Sequence, residues 1–598
     1  MKQTHSFHLP VMGIAFTIDT AVKVAHLGLD SVMFISDDVL IEKMRKFYSE
    51  KFKLPYIEIT KKAFDSRAKR ITAYLNLVKD LAEKNLDELI KSSSEVKKYF
   101  EMLPDTAQLK QKFNDYSSKV TENSEIKKWL KSNLSIGDIN VNIMTKLDKD
   151  NYANNEKLPV EFNDAHAALR GFANSDLESS MVFSAGMNPR LFSYIEKFND
   201  FFPDTNGYIK KKIILKVSDY RSALIQGKFL AKKGIWVSEY RIESGLNCGG
   251  HAFATDGYLM GPILEEFKNN KQNLINDVSE ILNKALENSG RTVPTKALTL
   301  KVTAQGGVGT AEEQDFLLNY YKVDSIGWGT PFLLVPEVTN VDEPTLNKLK
   351  EAKEKDLYLS DASPLGVPFN NIRNSSKHLE KELDLKNGRL GSPCPKKFLA
   401  LNPYSDGKTI CTASTKYQKE KYKELLDQKD TLGETQFQVE FKALTAKECL
   451  CNGLSTSVMH INDIDRKLEH DGVSICPGPN LAYYSKTSTL QDMTNHIYGK
   501  DTVMDRVDRP NMFIKELGLY IDYLSDKLDV SLDIMDKKQE RYFGKFIKNM
   551  EAGITYYQNM FSQTKKYFGL QQENILKQLD QYNKELLAIQ LKMKSVLA

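Results

Sequence analysis

The sequence predicts an α/β protein whose first half closes into a (β/α)8 barrel, and three observations carry that prediction. Eight short apolar, β-branched runs alternate with amphipathic stretches. The last two runs end in glycine turns, Gln305-Gly306-Gly307-Val308 and Gly327-Trp328-Gly329-Thr330. The sixth leads into Gly245-Leu246-Asn247-Cys248-Gly249-Gly250-His251, a tight turn that carries a histidine. Strand alternating with helix eight times favours a closed parallel barrel over a doubly wound open sheet, because neither early strand carries a dinucleotide fingerprint.

The runs lie at 9–16, 31–36, 139–146, 181–186, 212–218, 235–242, 297–305 and 323–329. Helices are expected between them at 19–26 and 163–174. A third, at 189–202, has Pro189 in its first turn, and Asp219 caps a fourth at 220–233. A further helix at 310–321 opens with Thr310 and Glu313 in capping-box spacing. Between the second and third strands, residues 37–135 are rich in Lys, Glu, Leu and Tyr. Ile71, Tyr74, Leu75, Val78 and Leu81 keep helical spacing there, so a packed helical insertion is expected in preference to a lid.

The pattern changes after Pro336. Residues 361–371 read as irregular loop, and five of the six cysteines fall between Cys394 and Cys476. From Pro510 the chain is helical. Ile575, Leu579, Tyr582, Leu586, Ile589, Met593 and Val596 form a heptad seam that must pack on something. An antiparallel neighbour within the tail is the first expectation; a homo-oligomer or another protein partner is the second. The division expected is a barrel at 1–345, a Cys-containing irregular or α+β region at 346–500, and a helical hairpin or bundle at 501–598.

Bulk properties narrow the function. The 598 residues carry 83 Lys and Arg against 79 Asp and Glu, a net charge of +4, too balanced to argue for nucleic acid or an anionic membrane as partner. Mean hydropathy is −0.43, no apolar run reaches the length of a membrane span, and no apolar leader segment opens the sequence, so a cytoplasmic location is expected. Six cysteines in so long a chain do not make a disulfide scaffold.

The glycine turns carry the chemistry. After the last two strands of such a barrel, backbone N–H groups can receive a phosphate, and glycines let the chain approach it closely. Gly306 and Gly307 stand at one turn, Gly329 and Thr330 at the other. His251 would project over the barrel mouth, where an imidazole suits proton abstraction beside a carbonyl or nitro group. Cys394 and Cys476 each precede proline, as iron–sulfur ligands often do. With Cys449 and Cys451 they could supply four thiolates to an iron–sulfur cluster or zinc, although the spacing fits no standard pattern.

From Leu9 to Phe332 the chain resembles the nitronate monooxygenase family, also called 2-nitropropane dioxygenase-like, which includes FMN-dependent enoyl-acyl-carrier-protein reductases. The matching pieces are Pro10-Val11-Met12-Gly13, Val141-Asn142-Ile143, Met181-Val182-Phe183-Ser184-Ala185-Gly186, the turn ending in His251, and both glycine turns. The resemblance implies a TIM barrel binding FMN, with Gly13 and Asn142 at the flavin and Gly306, Gly307, Gly329 and Thr330 at its phosphate. His251 would be the proton-transfer residue beside flavin N5. The sequence departs from the family at Asn247-Cys248, where an acidic residue and Ala are usual, at Trp328, and in the long insertion. The function this implies is an FMN-dependent oxidoreductase acting on a small-molecule or acyl substrate. The alternative is a non-catalytic binding or assembly protein that uses the barrel as a scaffold.

Overall fold

The structure is a computed structural model and describes residues 4–120, 122–184, 186–249, 255–393, 395–466, 469–506, 508–531 and 535–597. Eight parallel strands close a barrel: β1 (Phe7–Leu9), β2 (Asp30–Phe34), β3 (Ile139–Met144), β4 (Ser179–Ser184), β5 (Lys211–Val217), β6 (Val237–Glu243), β7 (Lys301–Gln305) and β8 (Ser325–Gly327). Each strand pairs with its sequence neighbours. The ring shuts where β1 joins both β2, with His8 opposite Asp30, and β8, with Phe7 opposite Ile326.

The strands fall within or beside the expected runs, except the first. It occupies Phe7–Leu9 rather than 9–16, because Pro10 has no N–H to continue the ladder. The chain beyond it crosses the barrel mouth as loop, and Ala15 N donates to Leu454 O at 2.8 Å.

Helix starts follow the sequence signals closely. Asp219 accepts from Ser222 N at 2.7 Å, and Asn188 accepts from Leu191 N at 3.1 Å ahead of Pro189. The box at Thr310 is only half built. Its hydroxyl accepts from Glu313 N at 3.2 Å, but the Glu313 carboxylate turns to Gly309 N and Arg509 instead.

Between β2 and β3 stand five helices, Asp38–Lys51, Ser66–Lys91, Ser93–Met102, Gln108–Ser117 and Asn123–Asn133. Ser66–Lys91 lies between the first barrel helix and Asp164–Ala173. Tyr74 OH donates to Ile18 O at 3.0 Å, Asn85 to Val22 O at 2.9 Å, and Thr72 to Gly171 O at 2.9 Å. It therefore takes the place of the barrel's own second helix, and the other four are additions around it.

The chain after the barrel packs back over it. Two strands, Leu357–Ser360 and Phe369–Ile372, pair antiparallel, and helices follow at Ser376–Lys386, Thr415–Asp427, Lys429–Thr445, Leu450–Ile461 and Leu490–Ile497. Helices Met512–Ser531, Lys537–Gln563 and Gln572–Leu597 form a bundle. Gln558 meets Asp580 at 3.1 Å and Glu551 meets Gln590 at 3.3 Å, so the last helix runs antiparallel to the middle one. It runs parallel to the first, with Tyr582 against Gly518 and Lys592 at 2.5 Å from Asp529. Ile575, Leu579, Leu586, Ile589 and Met593 of the seam are buried, in one apolar core that is continuous with the barrel. Among the described residues, no helix is long and apolar enough to cross a membrane.

Candidate active site

Alternate residues of each strand face the barrel axis, and in this chain many of them are polar. At the N-terminal end, Asp30, Asn140, Glu239, Arg241 and Lys301 line an interior cavity of about 220 Å3. Above it Val32, Val182 and Ile214 form a small apolar layer. At the C-terminal end the polar groups return. Lys216 Nζ lies 2.8 Å from Glu243 Oε1, and Gln305 donates to Glu243 Oε1 at 3.1 Å and to Asn247 Oδ1 at 2.9 Å. Asn247 also donates to Glu243. Glu243 keeps 27% of its side-chain surface exposed, so this network opens to solvent at the mouth.

Asn142 sits on β3 in the same layer. Its Oδ1 accepts from Ser184 Oγ at 3.2 Å, while its Nδ2 is buried with no partner. A buried amide without a partner costs about 1–3 kcal/mol. An apolar cavity of about 90 Å3 is lined by Val11, Gly13, Met144, Gly249 and Phe398.

The two glycine turns stand across the mouth. Gly306 (φ +102°) and Gly307 (φ +86°) adopt a backbone that favours glycine. The amides of Gly306, Gly307 and Gly329 meet no acceptor among the described residues. Backbone amides on glycine turns are donors of the kind that a phosphate accepts from.

The space between the turns is narrow. A Cβ on Gly306 would fall 3.0 Å from Asn247 N, and one on Gly329 would fall 3.2 Å from Cys248 Cβ. The Asn247–Gly249 turn thus lies between them, pinned from outside. Gly249 N donates to Cys476 O at 3.1 Å, Cys248 Sγ to the same oxygen at 3.2 Å, and Gly478 packs on Thr330. Burial, reinforced by the neighbouring Cys476 thiol, pushes the Cys248 thiol well above its ordinary range, so it stays protonated. Asn480 donates to the carbonyls of Gly307 (2.8 Å) and Val308 (2.9 Å), and Arg509 to that of Gly307 at 2.6 Å. These contacts use carbonyl oxygens and leave the amides alone.

The structure therefore brings Gly13, Asn142, Gly306, Gly307, Gly329 and Thr330 to one end of the barrel. His251 lies outside the described residues, immediately beyond a turn that ends at this mouth. Lys216 and Glu243 were not singled out from the sequence, and Gln305 was named there only as the first residue of its glycine turn. Their one signal was polar side chains at alternate positions in otherwise apolar strands.

The thiols behave differently. Cys394 lies outside the described residues. Cys449, Cys451 and Cys476 are buried with Cys411 beside Phe369 and Phe398. Among the described residues, the one group of three metal-ligating atoms within 4.8 Å is Glu380, Asp384 and His470, with no thiol in it. Those carboxylates are already engaged, Glu380 by Lys377 at 2.6 Å and Asp384 by Arg389 at 3.0 Å.

No protein-family model and no curated protein matches the chain. Solved structures to which it is similar include the enoyl reductase domain of MlnA from the macrolactin biosynthesis cluster of Bacillus amyloliquefaciens (15% identity, TM-score 0.32, covering 68% of this chain and 87% of that one). Others are FabK from Thermotoga maritima (12%, 0.29, 68% and 86%) and nitroalkane oxidase from Streptomyces ansochromogenes (11%, 0.23, 42% and 66%). The assignment of a closed (β/α)8 barrel rests on the strand pairing of this chain itself.

Proposed function

We propose that the chain is an FMN-dependent oxidoreductase of the nitronate monooxygenase-like class. The observation that supports this reading is a set of donors at the barrel mouth that meet no acceptor among the described residues: the amides of Gly306, Gly307 and Gly329, and Asn142 Nδ2. A phosphate on the glycine turns and an acceptor-bearing ring edge at Asn142 would satisfy both. FMN is a ligand with those two ends, and when bound it supplies hydride or electron transfer. Gly13 lines the apolar cavity together with Met144 and Gly249, and a side chain there would press on Phe16.

The protein's own residues supply position and protons. Lys216 and Glu243 form a charged pair that orients a polar substrate group at the mouth. His251 transfers the proton. The Asn247–Gly249 turn, packed between the two glycine turns, is the segment that must give way for a phosphate to enter. The test is flavin content together with turnover. His251→Ala should keep flavin while losing about 10²–10⁴-fold in turnover, and unchanged turnover would make it a structural histidine.

A second reading, a binding or assembly protein on a barrel scaffold, is favoured by one observation, the packing of Asn247 and Cys248 between the two glycine turns. Protein that is colourless as purified and takes up no added FMN would select it.

A further inference from the structure

A cavity of about 290 Å3 lies where the antiparallel strands Leu357–Ser360 and Phe369–Ile372 meet the segment Pro477–Pro479 and the tail helices. It is separate from the barrel mouth. Gly478 lines it, and a Cβ there would fall 2.8 Å from Thr330 Oγ1 and 3.4 Å from Cys248 Cβ, so this segment is the wall between the two.

Asn370 faces into the cavity with nothing to bind. It stands opposite Leu359 in the strand pair and so shares a face with Leu359 and Leu357. All three line the cavity. Asn370 is 6% exposed, and its Nδ2 is buried with no partner among the described residues. Buried side-chain amides are normally paired, so this donor calls for an acceptor.

Three charged residues line the same cavity: Glu354, Lys515 and Asp522. Glu354 takes both Lys515 and the Tyr483 hydroxyl. Asp522, exposed on helix Met512–Ser531, meets no cation and no donor among the described residues. Burial, and after it the carboxylates of Asp526 and Glu585, raise the Asp522 carboxyl above its ordinary value. The lining thus carries an uncompensated negative charge that a cation would relieve. Leu357, Leu359, Leu519 and Pro479 make the remaining walls largely apolar.

We propose that this cavity binds a small primary amine with an apolar body and a neutral carbonyl, the chemistry of an amino-acid amide. Its ammonium would sit on Asp522, its carbonyl oxygen on Asn370 Nδ2, and its apolar part against Leu357, Leu359 and Leu519. A carboxylate in place of the carbonyl would find no free cation, because Lys515 is already engaged. The volume suits a ligand of that size, smaller than a cofactor. None of these residues belongs to the barrel mouth, so the assignment is independent of the flavin reading.

The test is calorimetric titration of leucinamide into the full chain, beside two analogues and two variants. N-acetyl-leucinamide keeps the carbonyl and loses the charge; isopentylamine keeps the charge and loses the carbonyl. Leucinamide should bind, N-acetyl-leucinamide about tenfold more weakly, and isopentylamine severalfold more weakly. Added salt should weaken leucinamide. Asp522→Asn, at an exposed position, should bring leucinamide down to the level of its acetylated analogue. Asn370→Leu removes a buried amide that has no partner, so the thermal midpoint of the free protein should hold or rise, while leucinamide falls to the level of isopentylamine. Absence of leucinamide binding at millimolar concentration would overturn the proposal, as would binding unchanged in Asp522→Asn. A lowered midpoint in the Asn370→Leu protein would show that the amide is already satisfied within the fold, and would overturn it too.

Discussion

Ser244 Oγ and Glu516 Oε1, 272 positions apart in sequence, share a hydrogen bond of 2.7 Å. The other oxygen of Glu516 accepts from Met260 N at 2.8 Å, so one carboxyl on the first tail helix grips both ends of the segment that contains His251. The tail is thereby part of the site's support, and the geometry of the mouth depends on how it docks.

Burial raises the Glu516 carboxyl to about 7 from its ordinary 4.5, against the lowering effect of its hydrogen bonds. The unfolded chain releases that proton near the ordinary value. Its contribution is therefore complete below about pH 4.5 and is lost as pH rises through about 7, a change on the order of 3 kcal/mol. Glu516→Gln, which keeps the shape and cannot ionise, should remove this part of the pH dependence and be more stable than the unsubstituted protein at pH 8. Denaturant midpoints measured at pH 5 and pH 8 for both proteins check it. Parallel pH profiles would contradict the assignment.

Arg509 and Glu313 form a nearly buried pair at 2.7 Å, with Arg509 also donating to Gly307 O at 2.6 Å. Removing one partner strands the other charge. Arg509→Met should destabilise by about 3–5 kcal/mol, and adding Glu313→Gln should recover part of that, because no unpaired charge then remains. A double variant as unstable as the single one would show that the pair's packing, rather than its charge, is what counts.

Gly306 adopts a positive φ, and a side chain there would meet Asn247. Gly306→Val should abolish flavin retention and lower stability by about 1–3 kcal/mol through backbone strain, with the far-ultraviolet circular dichroism unchanged. A variant retaining its full complement of flavin would remove the phosphate assignment from this turn.

Lys216 and Glu243 are part-exposed and belong to no apolar core, so replacing them should spare the fold. Lys216→Met is expected to lower turnover by about 10²-fold through lost orientation of the substrate, with flavin content and thermal midpoint nearly unchanged. Steady-state rates with a competent substrate decide this. Full activity would make the pair a stabilising feature of the barrel rim.

The barrel was legible because β-branched runs and helix caps are local signals. Asp219 and Asn188 cap as their residue types predict, and Pro10 displaced the first strand by the one constraint the run-reading ignored, the missing N–H. Gly306 and Gly307 were legible as a turn because glycine tolerates the positive φ that both adopt. Lys216 and Glu243 were not, and Gln305 only as the first residue of its turn, since an inward polar side chain in a barrel has the same sequence pattern as an outward one in an open sheet. Glu516 carried no signal at all: nothing in its own helix says that it will meet Ser244. The occupation of the space between the glycine turns by Asn247 and Cys248, and their fastening to Cys476, likewise depends on long-range packing.

The central claim is that this barrel mouth holds a flavin. The most direct measurement is the absorption spectrum of freshly purified full-length protein, with mass spectrometry of what heating releases. The account predicts a yellow protein with a band near 450 nm, as oxidised flavins show, and release of FMN in about one-to-one ratio to chain. A colourless protein that stays colourless after incubation with excess FMN would contradict it.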